Sequence, residues 1–194
     1  MQISNPSTFE QSAHLRSLMS TIDRLLDIHA LTFQATAEFY QRVMAGPSVV
    51  QFPLSGTTWR PGMSKDKVIN HAPMLTQVAA LQSSVLLAGA LEYYLYKMCQ
   101  LTYSKMDLVD RTWFNFDVVG TLTGVDMALC LQYPKIVELF ALWAKYVKPE
   151  QYDIDPNVMA NRSVFQEFAD AVRIFAIDFE HAFCLSNIRV RLPQ

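Results

Sequence analysis

Arg24 and His29, in the segment DRLLDIH, form the only Arg-x4-His pair in the chain. Such a pair could serve phosphodiester cleavage. The histidine would move a proton from a 2′-hydroxyl, and the arginine would stabilise the charge that builds on phosphorus. Five positions along a helix, however, set two side chains about 140° apart, off any common face. The plainer reading is a solvated Arg24 and a half-buried His29. A second centre is ALEYYL, where Glu92 stands among Tyr93, Tyr94 and Tyr96. A lone carboxylate in an apolar helix needs a partner if it is buried, and the plain expectation pairs Glu92 with an arginine from a neighbouring helix.

Other chemistries find little to stand on. A di-metal bundle site needs two carboxylate-x-x-His pairs on facing helices. Only Asp178-x-x-His181 has that spacing, and Glu38, Glu92 and Glu138 have no second such partner. His14, His29, His71 and His181 make no HExxH, and there is no Walker loop, GxGxxG or G-x-S-x-G. The sequence therefore calls for no metal and no cofactor. The three cysteines, Cys99, Cys130 and Cys184, form no CxxC and lie in apolar surroundings. They read as buried thiols of a reducing compartment, which points to the cytoplasm.

Arginines beside aromatics supply candidate binding surfaces. Trp59-Arg60 lies in a proline- and glycine-rich stretch, and Arg111 is two residues before Trp113. Both suit protein hot spots or stacking on unpaired bases. Arg189 and Arg191 alternate with apolar residues in IRVRL, like a short edge strand or an arm over 186–194. Two charges add little affinity for nucleic acid, so contact with a second subunit is the favoured role of that arm. With a net charge of −2 over 194 residues, no broad basic surface is expected, and a DNA-groove reader is excluded.

The elements that must position these residues are helices. Val68–Leu91 contains no Asp, Glu, Lys or Arg and runs straight into Glu92. A helix uncharged on every face must be wrapped by other helices or lie in lipid. Asn70, His71, Gln77 and Gln82 weigh against lipid, so no membrane span is expected. Around this central helix the spacing predicts a first helix to about Met44, capped at Ser7 or Thr8. Ser64 is expected to cap the second helix, with Pro73 kinking or restarting it. A short helix is predicted near Met106–Phe114, another within Thr123–Leu131, one over Lys135–Tyr146, and an aromatic last helix over Asn157–Cys184. Residues 46–64 read as a long loop with a short extended piece at Val49–Leu54. The expected fold is all-α: one domain over 1–194, a bundle of about five main helices. The N-terminus has no basic region followed by an apolar run, so no signal peptide is expected. Only 18% of residues are charged while 51% are hydrophobic, which predicts a covered surface and hence a homodimer or a protein partner.

SSVLLAGALEYYLYKMCQL resembles the corresponding helix of HEPN domains, in particular the RiboL-PSP-HEPN subgroup. The resemblance implies an α-helical bundle, often dimeric, of a family rich in metal-independent RNases of toxin–antitoxin and antiphage systems. It also implies an Arg–polar–x3–His signature downstream of the LExYL-type helix. Here Arg162, in MANRSVFQEF, stands at about that place, but no histidine follows at the right spacing. The expected function is therefore a HEPN-like intracellular protein linked to RNA-targeting defence, with a degenerate catalytic pair. The alternative is a non-enzymatic adaptor or inhibitor that acts through protein contacts.

Overall fold

A computed structural model describes residues 11–46, 49–50, 63–103, 115–147 and 162–191. The protein is an all-α bundle. Helix α1 spans Ala13–Ala45. Its N-cap is Ser12, whose hydroxyl accepts a hydrogen bond from the Leu15 amide at 3.1 Å. Leu15, Leu18, Ile22, Leu25 and His29 fall on one side of it and are buried. The expected caps Ser7 and Thr8 lie outside the described residues. A two-residue antiparallel bridge follows, β1 (Val49–Val50) with β2 (Met63–Ser64), pairing Val49 with Ser64 and Val50 with Met63. It bears out the extended piece at its first two positions and closes the α1–α2 connection, where Lys65 donates to the Met44 carbonyl.

Helix α2 spans Lys65–Thr102, 38 residues and so about 57 Å. Ser64 caps it as expected, with Asp66 in the first turn. It runs unbroken through Pro73, so no restart occurs there. The buried side of α2 is the middle of the core: Leu87, Leu91, Leu95 and Met98 are fully enclosed. Helix α3 (Phe116–Thr123) was not among the expected helices. Asn115 caps it by accepting from the Asp117 amide at 2.9 Å, and Gly124 ends it at φ 72°, a left-handed conformation that favours glycine. A 3₁₀ turn, Met127–Gln132, lies within the predicted Thr123–Leu131 region, and Asp126 caps it. The other predicted short helix, Met106–Phe114, falls outside the described residues. Helix α4 is Pro134–Val147, opened by a proline whose missing N–H costs nothing at that position.

Helix α5 spans Arg162–Arg191. Phe165, Phe168, Val172, Phe175 and Phe179 form the expected aromatic stripe, all buried. The last helix continues to Arg191, so 186–191 is helical and not an edge strand. Ile188–Arg191 contains no helix breaker, and the helix simply propagates to Arg191.

Helices α1, α3, α4 and α5 all pack on α2. Helix α1 meets α5, α5 meets α4, and α4 meets the 3₁₀ turn, which meets α3. The neighbours of α2 thus form an arc from α1 round to α3. The expectation that α2 is wrapped on every side needs correcting, because one strip of it stays open to solvent.

Candidate functional site

Among the described residues, the carboxylate that the fold buries is Glu180 on α5, at 2% exposure. It accepts from the Ser12 amide at 2.6 Å, from the Ser12 hydroxyl at 2.7 Å and from the Tyr94 hydroxyl at 3.1 Å. Tyr94 also reaches the Ala176 carbonyl at 3.3 Å. One acid therefore ties the start of α1 to α2 and α5, in the place where the α1 dipole favours negative charge. Burial, and then the Glu180 charge beside it, drive the Tyr94 hydroxyl far above its ordinary pKa. Tyr94 is a fixed donor at neutral pH, not an acid–base group. The sequence reading looked for a buried acid at Glu92, which is only half-buried. The signal for Glu180 was its place at the edge of the Phe175–Phe179 stripe. Its partner Ser12 lies 168 positions away, which no local pattern reveals.

Helix α1 separates the Arg-x4-His pair. Arg24 is on the exposed side. His29 is 3% exposed, and its ring centroid lies 4.8 Å from that of Phe33 and 4.6 Å from that of Phe165. The two do not share a solvent-open site, as the helical angle between them implies. Arg162 opens α5, and Arg189 and Arg191 lie in its last turns; their side chains, with all of Trp59, Arg60, Arg111 and Trp113, fall outside the described residues.

A cleft of about 550 Å³ opens between α3, the 3₁₀ turn and α4, with Phe116, Asp117, Asp126, Met127 and Cys130 in its wall. Its size suits a small ligand; its lining includes the exposed carboxylates of Asp117 and Asp126 and one buried thiol, Cys130. Burial pushes the Cys130 thiol up to about 12, so it is inert at neutral pH. Cys99 is likewise raised by burial to about 11. Among the described residues no group of three or more His, Cys, Asp or Glu could hold a metal ion. Asp178, half of the one carboxylate-x-x-His match, accepts a hydrogen bond from Tyr133. That bond, ahead of burial, raises the Tyr133 phenol to about 12, while His181 is exposed.

The feature left is the open strip of α2. Leu86 is 60% and Tyr93 54% exposed, with Val78 and Leu101 also open to solvent. Gln82 is exposed between them, and Lys97 is half-buried. A Cβ added to Gly89 would meet nothing within 4 Å, so the middle of the strip is a shallow saddle. The Lys97 ammonium lies 5.3 Å from the Tyr93 ring centroid and 5.5 Å from that of Tyr96, and it donates to the Gln100 side-chain oxygen at 3.0 Å. Lys97 thus fixes the Tyr93 ring on the surface by a cation–π contact. By length and composition α2 is also the one described helix able to cross a membrane, with an 18-residue window of mean hydropathy 1.5 that is 44% buried.

Comparison with protein-family models, with curated proteins and with solved structures gives no match to this chain.

Proposed function

We propose that this chain is a non-enzymatic helical association module that binds protein through the open strip of α2. The observation that supports the reading is the strip itself: large apolar side chains stand in water on the helix that otherwise forms the middle of the core. Exposed apolar surface gathered on one face marks a contact site, whereas single scattered residues do not. Supporting the absence of chemistry are the separation of Arg24 from His29 and the raised pKa values of the buried thiols. The test is photo-cross-linking in the producing cell, with p-benzoylphenylalanine in place of Leu86 and, as a control, in place of the exposed Asp126, which caps the 3₁₀ turn and is not part of the strip. Protein adducts from position 86 and none from position 126 support the reading. Equal yields from both, or none from either, refute it.

A HEPN-like, RNA-linked role is the second reading, and one placement favours it. SSVLLAGALEYYL forms the middle of the central helix, and its Tyr94 packs on the last helix. On this reading the cytoplasmic chain serves toxin–antitoxin or antiphage defence, its RNase pair degenerate. The purified protein would then carry RNA, seen in the ultraviolet absorbance ratio, and Arg162→Ala would release it. An RNA-free protein refutes this second reading and leaves the first intact.

A further inference from the structure

Two rows of the open strip of α2 match each other in reverse. Val78, Gln82, Leu86 and Ala90 form one row at four-residue spacing, and Gly89, Tyr93, Lys97 and Leu101 form the next. Read in opposite directions, the rows match about a point between Gly89 and Ala90. The outermost pair is apolar with apolar (Val78, Leu101). The next is polar with polar (Gln82, Lys97), then large apolar with large apolar (Leu86, Tyr93), and at the centre small with small. Rows at four-residue spacing are the ridges of one common mode of helix packing. A two-fold axis requires that a surface match itself in reverse. We propose that the occupant of this strip is a second copy of the chain, its α2 crossing antiparallel about a dyad between Gly89 and Ala90. This rests on the reading of the strip as a protein-binding face and names the partner.

The packing follows from the residues. Gly89 and Ala90 let the two backbones approach. Leu86 of each copy then fills the space beside Tyr93 of the other, a ring already held in place by Lys97. Gln82 meets Lys97 across the axis, where the ammonium can donate to the amide oxygen. Ile28 on α1 extends the apolar area. Asp23 pairs with Arg173 of α5, so α5 lies on the Asp23 side of α1, and Ile28 projects about 140° away from that side. The strip is about 35 Å long and about 10 Å wide, which gives roughly 700 Å² over two copies. That falls short of the ~1,200 Å² of a standard interface, so the dimer is reversible, with a Kd in the micromolar range. Lipid is the poorer occupant. Gln82 and Lys97 stand inside the strip, and the rows carry no basic border of the kind that interfacial helices use.

The test is sedimentation velocity on the full chain between ~1 and ~100 µM, with variants that probe register. Gln82→Lys sets two ammonium groups against each other twice per dimer, and the Kd should rise about tenfold. Gln82→Glu, which keeps Lys97 and its hold on the Tyr93 ring, turns both contacts into ion pairs and should lower the Kd below the wild-type value. Gln82 is exposed, so Gln82→Lys folds normally, which far-UV circular dichroism checks. A wild-type monomer throughout the range, or a dimer indifferent to Gln82→Lys, overturns the proposal. So does a dimer that Gln82→Glu weakens as much as Gln82→Lys does. The cross-link at position 86 separates this failure from failure of the broader reading. An adduct of twice the chain mass supports self-association. A protein adduct of any other mass overturns the second copy but keeps the protein-binding face, and a lipid adduct overturns both.

Discussion

Glu180→Ala should be among the most damaging single changes in the protein, although Glu180 takes part in no chemistry. Its carboxylate receives hydrogen bonds from the Ser12 amide, the Ser12 hydroxyl and the Tyr94 hydroxyl. A buried donor left without its acceptor costs about 1–3 kcal/mol. Tyr94 keeps the Ala176 carbonyl at 3.3 Å, and Ser12 is half-buried, so water recovers part of its loss. Losing the negative charge at the start of α1 adds about 0.3–1 kcal/mol. Together these give about 3–4 kcal/mol for Glu180→Ala. Glu180→Gln keeps the shape and one good acceptor and should cost about 1–2 kcal/mol. The assay is urea unfolding followed by circular dichroism, with Ser12→Ala, Tyr94→Phe and the double variants closing the cycles. The singles should cost about 1 kcal/mol each, and each should cost little more once Glu180 is gone. A Glu180→Ala loss below about 1 kcal/mol, or strict additivity with Ser12→Ala, would refute the claim that this acid clamps three helices.

Three further outcomes follow from the geometry. Stability should fall as pH rises above about 9. The thiols of Cys99 and Cys130 titrate near 9 when exposed but near 11 and 12 in the fold, so the unfolded chain sheds those protons first. Stability is then full below the unfolded value and drains away through the folded one, and Cys99→Ala with Cys130→Ala should flatten the alkaline limb of a urea series. Gly120→Ala should destabilise by about 1–3 kcal/mol in thermal melts, since its Cβ would meet the Met127 Cγ at 2.7 Å and the Val125 carbonyl at 3.0 Å; Met127→Ala should recover only the side-chain part. Phe165→Ala should cost about 3–5 kcal/mol and also make His29 accessible, read as its rate of modification by diethyl pyrocarbonate, because the Phe165 ring covers it.

The long helices were legible because period and caps agreed. Leu15 to His29 and Phe165 to Phe179 keep helical spacing over many turns, Ser64 announces α2, and Pro134 announces α4. Helix α3 was not, because FDVVGTLT is rich in β-branched residues and contains glycine. Packing against α2 and the Asn115 cap overrides that poor propensity. IRVRL misled in the opposite sense, since two-residue alternation over five positions is a weak signal beside an advancing helix end. The open strip of α2 was hidden for a different reason. Hydrophobicity says that a face leaves water; it does not say whether it enters the core or meets a partner. The absence of charge from Val68 to Leu91 therefore reads as burial, although only the side of Leu87, Leu91 and Leu95 faces the core. Glu180 escaped notice because FEHAF looks like a solvated turn of helix until Ser12 is placed beside it.

The central claim, that the open strip of α2 is a face covered by a second copy of the chain, is tested most directly by hydroxyl-radical footprinting of the wild-type chain at rising concentration. Leu86 and Tyr93 are compared with Ile174, which is 53% exposed on α5 and lies outside the strip. The account predicts that Leu86 and Tyr93 lose reactivity together over the micromolar range while Ile174 keeps its own. Unchanged reactivity at all three positions, or protection of Ile174 alone, would contradict it.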